Sequence, residues 1–361
     1  MVSVSSQSSS VPALPVLGAL KPLLGEIYQA VSLLPEGQEP HPLFRQRVEG
    51  FYQEAGAMPG WRPGPPEAAP SLFLHRTACF TLARLVLVAQ WLQCRWLSPV
   101  DCRRPAPAMA ALHRILTGEL GLLPEEVVWL THPDAGRYGW YCPADPDWTD
   151  WLSALQRLSL PLAEDVLGPL MESLSHPAGR KLQGQFYTPA WLCQQVLDGM
   201  LMDAPLNHAP TLWDPTVGTG AFLLAAGHRL ADQLKEPFPW LNACFGTEQD
   251  DLAVALARIN QLRQLRPEAF CPSATGRFPI THGDSLALLG QAELPMVDWV
   301  IGNPPYVGEK GNKPLFDETL RRYPQWQPFY QGRMDYLYFF IHLGLSRLKP
   351  GGRLGFFTSR Y

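Results

Sequence analysis

The residues best placed to do chemistry are Asn303-Pro304-Pro305-Tyr306, which follow a short apolar run, Val297-Asp298-Trp299-Val300-Ile301-Gly302, that reads as a buried strand. Two prolines stiffen the backbone and remove two N–H donors, so the Asn303 side-chain oxygen and the Pro304 carbonyl can be held as neutral acceptors. Two fixed acceptors beside an aromatic ring suit a planar amino group such as adenine N6, whose lone pair is conjugated into its ring. Accepting both of its protons pushes density back onto nitrogen as it attacks an electrophilic methyl, while Tyr306 stacks on the base. Taken alone, the four residues fit a proline-stiffened turn after a strand equally well.

Upstream, Leu212-Trp213-Asp214-Pro215-Thr216-Val217-Gly218-Thr219-Gly220-Ala221-Phe222 reads as a strand end, a glycine turn and the start of a helix. Gly218 and Gly220 permit tight turning and close ligand approach, and the helix offers its N-terminal N–H groups. The last glycine of the dinucleotide fingerprint and a Gly-Lys-Ser/Thr are both missing, which disfavours a dehydrogenase or a P-loop nucleotidase. A second strand, Ala243 to Thr247, ends in Glu248, 28 residues beyond Gly220 and suited to a ribose diol. A third, Phe278 to Thr281, leads to Asp284, whose carboxylate suits an adenine amino group. Singly, Glu248 or Asp284 reads as a polar loop residue. Together, each at the C-terminal end of an expected strand, these motifs mark one crevice at the switch point of a parallel sheet.

In this order the motifs resemble the gamma-type S-adenosylmethionine-dependent N6-adenine DNA methyltransferases of restriction-modification systems. Gly184-Gln185-Phe186-Tyr187-Thr188-Pro189, just before the first strand, strengthens the resemblance. It implies that Tyr187, Thr188 and Pro189 cover the methionine part of S-adenosylmethionine and that Asp214 and the Gly218/Gly220 turn take its amino-acid end. Phe222 belongs to the same cofactor set, Glu248 takes the ribose, Asp284 the cofactor adenine, and Asn303 to Tyr306 the target base. The implied fold is α/β, a class I methyltransferase Rossmann-like doubly wound sheet preceded by a mainly α-helical domain. The implied reaction is methyl transfer to an adenine flipped out of double-stranded DNA, for restriction-modification or phage defence.

The resemblance runs from about Gly184 to Tyr361. Within it, a helix over Tyr336 to Leu348, a Lys349-Pro350-Gly351-Gly352 turn and a strand over Arg353 to Thr358 follow the family pattern. Val307 to Arg333 reads as a long polar and aromatic insert, either a solvated loop or a lid over DNA. The pattern leads one to expect further strands and a target-recognition domain, or a separate specificity subunit, beyond this sequence. Without them the last strand is an unpaired edge. Two other readings stay open: a protein-glutamine methyltransferase, which also uses Asn-Pro-Pro-Tyr, and a partner-dependent subunit that transfers nothing alone.

The expected organisation is a tail over residues 1–15, a helical domain over 16–178 and a methyltransferase domain over 179–361. Helical patches fall at Pro22 to Leu34, Phe44 to Glu54, Ser71 to Leu97, Ala108 to Leu116, Trp148 to Leu158 and Leu162 to Leu174, broken by a Pro-rich stretch from Pro59 to Pro70. The first 180 residues hold 13 Lys+Arg against 17 Asp+Glu, and the remainder 16 against 16, so neither half offers the basic face that dominates DNA affinity. Seven scattered Cys without a C-x-x-C pair suggest free thiols in a reducing cytoplasm and no metal site. The apolar run Leu82 to Leu92 is too short and too polar at its ends for a membrane span and reads as a buried helix, with the tryptophans of this half as core.

Overall fold

Five short runs rich in Val, Ile, Trp and Phe pair as one parallel sheet in a computed structural model that describes residues 13–32, 46–51, 53, 69–132, 136–174, 187–201, 208–267, 272–291 and 296–358. Gly184 to Phe186, Trp61, Cys271, the tail over residues 1–12 and most of the Pro-rich stretch lie outside them. The strands are β1 (Leu212–Asp214), β2 (Cys244–Glu248), β3 (Ile280–His282), β4 (Val297–Gly302) and β5 (Leu348–Phe356), in the order β3-β2-β1-β4-β5. The chain reverses direction across the sheet between β1 and β4, and a crevice opens at their C-terminal ends.

Successive side chains alternate between two apolar cores, because strands buried on both faces must be apolar on both. Leu212, Cys244, Trp299 and Ile301 enter one core, whereas Trp213 and Val300 enter the other, with Phe245 packed against it. The first core is shared with helices that precede β1 or follow β1 and β2. Of these α1 (Ala13–Ser32), α2 (Ala69–Gln93), α3 (Pro105–Arg114), α4 (Pro124–Thr131), α5 (Asp145–Gln156) and α6 (Gly168–Leu174) form the helical layer. The others are α7 (Ala190–Leu201), α8 (Ala221–Leu234) and α9 (Asp251–Gln264). The second core is covered by helices of the segment after β4, so helices lie on both faces, as the α/β expectation required.

Helix α2 is the centre of the helical layer. Every residue from Arg76 to Trp91 is buried, so the helix is apolar all round rather than striped. Its span Ser71–Gln93 is long and apolar enough to cross a membrane, yet 83% of its most apolar window is enclosed by the protein, as for a core helix. Trp91, Trp140, Trp148 and Trp151 are buried, while Trp96 and Trp129 are half-buried. Helix α4 escaped the sequence reading because it is only eight residues long, opening on Pro124 and buried at Val127, Leu130 and Thr131.

The insert after β4 is not a solvated loop. It folds into α10 (Lys313–Arg322) and a 3₁₀ turn (Pro324–Phe329), followed by α11 (Leu337–Arg347). Phe316 and Leu320, one turn apart, face the second core together with fully buried Trp326, whose indole N–H donates to Leu286 O at 2.7 Å. A further adjustment falls in β5, which begins at Leu348 and bulges through the expected Lys349 to Gly352 turn before pairing Arg353 with Trp299. Gly351 takes φ +79° there.

The helical layer is tied to the sheet by buried polar contacts at both ends of α9. Arg76 of α2 donates to Asp250 Oδ1 at 2.6 Å and Oδ2 at 3.0 Å, and Asp250 Oδ1 also caps α9 through Ala253 N at 2.9 Å. At the other end Arg263 Nε donates to Gln90 Oε1 at 2.7 Å and the Trp91 indole to Leu262 O at 3.0 Å. Breaking a buried pair strands the remaining charge. Asp250→Asn is therefore expected to cost about 3 kcal/mol, read as a lowered urea midpoint. A loss indistinguishable from zero would mean that Asp251 and Tyr138 alone satisfy Arg76.

Candidate active site

β1 delivers Asp214 to the crevice, and the chain turns at Pro215 through Val217, whose N–H donates to Thr247 O at 3.1 Å. Gly218 at φ +53° and Gly220 at φ +92° take the left-handed conformations that glycine permits, and Gly220 opens α8. Phe222 follows, buried in the first core. The Asp214 carboxylate accepts from Thr216 N at 2.9 Å and Thr216 Oγ1 at 3.3 Å. Burial pushes its pKa up to about 8; the Thr216 contacts pull against this and the nearby Glu248 charge adds to it.

Glu248 at the tip of β2 is bound to backbone on both oxygens. Oε2 accepts from Gly218 N at 3.0 Å, and Oε1 from Gln249 N at 2.8 Å and Asp250 N at 2.9 Å. Burial raises its pKa above the ordinary carboxylate range, and these amides oppose the rise. Beyond β3, Asp284 caps Leu286 N at 2.9 Å and accepts from the Tyr323 hydroxyl, contributed by the insert, at 2.9 Å. Ser285 Oγ donates to Pro215 O, which joins this loop to the β1 turn.

Asn303-Pro304-Pro305-Tyr306 leaves the tip of β4 directly beside Asp214. A Cβ on Gly302 would stand 2.6 Å from Asp214 Oδ1, so glycine is what allows the approach. Asn303 Nδ2 donates to Thr188 Oγ1 at 3.1 Å, linking the Tyr187-Thr188-Pro189 segment to the β4 tip. The Asn303 oxygen faces the Tyr306 hydroxyl, which also lies 2.6 Å from Phe357 O at the end of β5. Its single proton serves one of the two at a time. The Tyr306 ring, assigned from sequence to stacking on a base, here stands edge-on to Phe357 with centroids 6.3 Å apart. Pro189 O accepts from Leu192 N at 2.9 Å and starts α7.

The structure therefore gathers Thr188, Asp214, Gly218, Glu248 and Asn303 around one crevice, with Asp284 joined to its edge. Sequence reasoning missed the groups behind them. Asp165, buried just before α6, accepts from Leu167 N at 3.0 Å, Gly168 N at 2.9 Å, Asn260 Nδ2 at 2.8 Å and the Thr219 hydroxyl. Asn260 also donates to Thr219 O at 2.9 Å, so the glycine turn is held from behind by two polar side chains. The local signal was an Asp three residues before a Gly, as in an Asx turn. Nothing local announced its partner 54 residues on. No cluster of metal-binding side chains occurs among the described residues.

A parallel sheet in this strand order, with a glycine corner at β1, an acid at the tip of β2 and Asn-Pro-Pro-Tyr at the tip of β4, defines a class I methyltransferase. Residues 163–360 match the model of the N-6 DNA Methylase family, and the chain belongs to that family. It is 30% identical over 203 residues to the type II methyltransferase M.PaeR7I of Pseudomonas aeruginosa, covering 51% of this chain and 33% of that one. It is 27% identical over 201 residues to the type II methyltransferase M.BstVI of Geobacillus stearothermophilus, covering 50% and 34%. The chain thus spans about a third of the length of these relatives. The type IIL restriction-modification enzyme MmeI, solved in complex with DNA, shares the fold at TM-score 0.50 and 16% identity over 94% of this chain and 50% of that one.

Asp214 sets a pH dependence. With a folded pKa of about 8 against ~3.9 unfolded, its stabilising contribution is whole below about pH 4 and gone once the pH has risen through 8. Asp214→Asn keeps the acceptor for Thr216 and cannot ionise. Its melting temperature relative to the unsubstituted protein should rise from pH 5 to pH 9; a difference that stays constant would place the folded pKa in the ordinary range.

Proposed function

We propose that this chain is the methyltransferase part of a DNA adenine-N6 modification enzyme of a restriction-modification or phage-defence system. It takes its methyl from S-adenosylmethionine and acts on an adenine flipped out of double-stranded DNA in the cytoplasm. The observation that carries the reading is Asn303: a neutral side-chain acceptor at the tip of β4, braced by Thr188 and placed beside the cofactor corner at Asp214. The named relatives are type II methyltransferases and MmeI was solved with DNA, which supports the same substrate. Base-sequence reading falls to a target-recognition module or a separate specificity subunit.

The crevice fits the cofactor. A Cβ on Gly218 would meet nothing within 4 Å, so there is open space against that turn. Glu248 uses three of its roughly four acceptor positions on backbone amides, which leaves one for a ribose hydroxyl and a second if Gly218 N turns to the ligand. Thr188, Asp214 and the Gly218 to Gly220 turn would hold the methionine end, and Asp284 the adenine. When bound, S-adenosylmethionine supplies a methyl on a sulfonium, which is already a good leaving group.

The chain's own task is positioning. The adenine amino group donates its two N–H hydrogen bonds to Asn303 Oδ1 and Pro304 O, and after the methyl is transferred the methylated nitrogen releases one proton to water. To free Asn303 Oδ1, the Tyr306 hydroxyl keeps its hydrogen bond to Phe357 O, an acceptor already 2.6 Å away. Flipping the base costs a few kcal/mol of unstacking, which these contacts must offset.

Asn303→Ala is expected to lower methyl transfer to duplex DNA by about 10³ while changing S-adenosylmethionine affinity less than about threefold. The measurement is transfer of a radiolabelled methyl, with nucleoside analysis of the DNA and a glutamine peptide as competing acceptor. Label in the peptide and none in N6-methyladenine would replace the DNA reading with the glutamine one.

A further inference from the structure

The helical layer contains a cavity of about 530 Å³ that shares no lining residue with the crevice. One wall is Arg84, at the buried centre of α2 and only 5% exposed. Its Nη2 donates to Tyr141 O at 3.0 Å, whereas its Nε–H, buried, has no partner among the described residues. Two other buried arginines, Arg76 and Arg263, are treated differently. Arg76 has Asp250 and Asp251, and all three nitrogens of Arg263 donate to oxygen acceptors.

Among the described residues no carboxylate lines the cavity. His113 and His132 add ring nitrogens, Arg114 a guanidinium 3.9 Å from Asp101, and Met109 and Trp148 apolar walls. Burial lowers the Arg84 pKa to about 10, so the guanidinium is still charged at neutral pH. A charge held out of water without a counter-ion is costly, and the cost is removed when an anion enters.

We propose that this cavity binds a small organic anion, one oxyanion head on a flat apolar body, with Arg84 taking the head and Met109 and Trp148 the body. The head can be a carboxylate or a phosphate, since a guanidinium fork matches both. The cavity has room for a two-ring body at this volume.

The test is isothermal titration of 2-naphthoate, 2-naphthyl phosphate and the uncharged 2-naphthalenemethanol into the full chain and into Arg84→Met. At least one anion should bind, with affinity falling tenfold or more in Arg84→Met, while the alcohol binds both proteins alike; which anion binds more tightly distinguishes the two heads. Arg84→Met should melt no lower than the parent, because it removes a buried charge that lacks a counter-ion. Should that variant fail to fold, Met109→Trp fills the cavity from another lining position, keeps Arg84 and should also abolish anion binding. Anions that bind Arg84→Met or Met109→Trp as well as the parent, or that do not bind the parent, overturn the proposal.

Discussion

The bidentate pair between Arg76 and Asp250 is the contact on which the crevice depends. Arg76 sits in the buried helix of the N-terminal layer, and Asp250 caps the helix that leaves the tip of β2. Asp250 N donates to Glu248, and Glu248 in turn receives Gly218 N, so three successive hydrogen bonds run from the helical layer to the glycine corner. Burial would raise the Asp250 pKa, but the charge and hydrogen bonds of Arg76 hold it below the ordinary carboxylate range. Its stabilising contribution is therefore complete at neutral pH and is lost only as the pH falls through that depressed pKa. A buried ion pair is a poor source of net stability, and its value here lies in fixing where β2 ends.

Close approach explains the rest of the site. Gly302 has no side chain because Asp214 occupies that space, and a Cβ on Gly246 would stand 2.8 Å from Val217 of the turn. Neighbouring strands lie under 5 Å apart, so their tips can hold Asp214, Glu248 and Asn303 together only if small residues remove the bulk between them. The group proposed to hold the base, Asn303, is a neutral acceptor. That suits a reaction whose leaving group is already activated and whose barrier is lowered by position.

The insert after β4 couples the two sides of the crevice. Its Tyr323 hydroxyl reaches Asp284, and its Trp326 indole reaches Leu286 O in the loop after β3. In the second core Trp326 stands edge-on to Phe339, and Phe316 is tilted against Phe339. A segment that reads as polar and aromatic by composition is held by a few buried rings.

Much of the candidate site was legible in the residues alone. Asn303 to Tyr306, the Gly218 and Gly220 turn, Glu248 and Asp284 are each short local patterns at strand ends, and strand ends follow from apolar runs and turn residues. The parallel order followed as well, since alternating strands and helices admit few other arrangements. Tertiary structure alone decided the partnerships: Asp165 behind Thr219, Arg76 on Asp250, the Tyr306 hydroxyl between Asn303 and Phe357, and the folding of the insert. The reason is physical. A strand or turn is specified by neighbours a few residues away, whereas a buried polar group is satisfied by whichever partner the packing brings within 3 Å, at a sequence separation that no local pattern encodes.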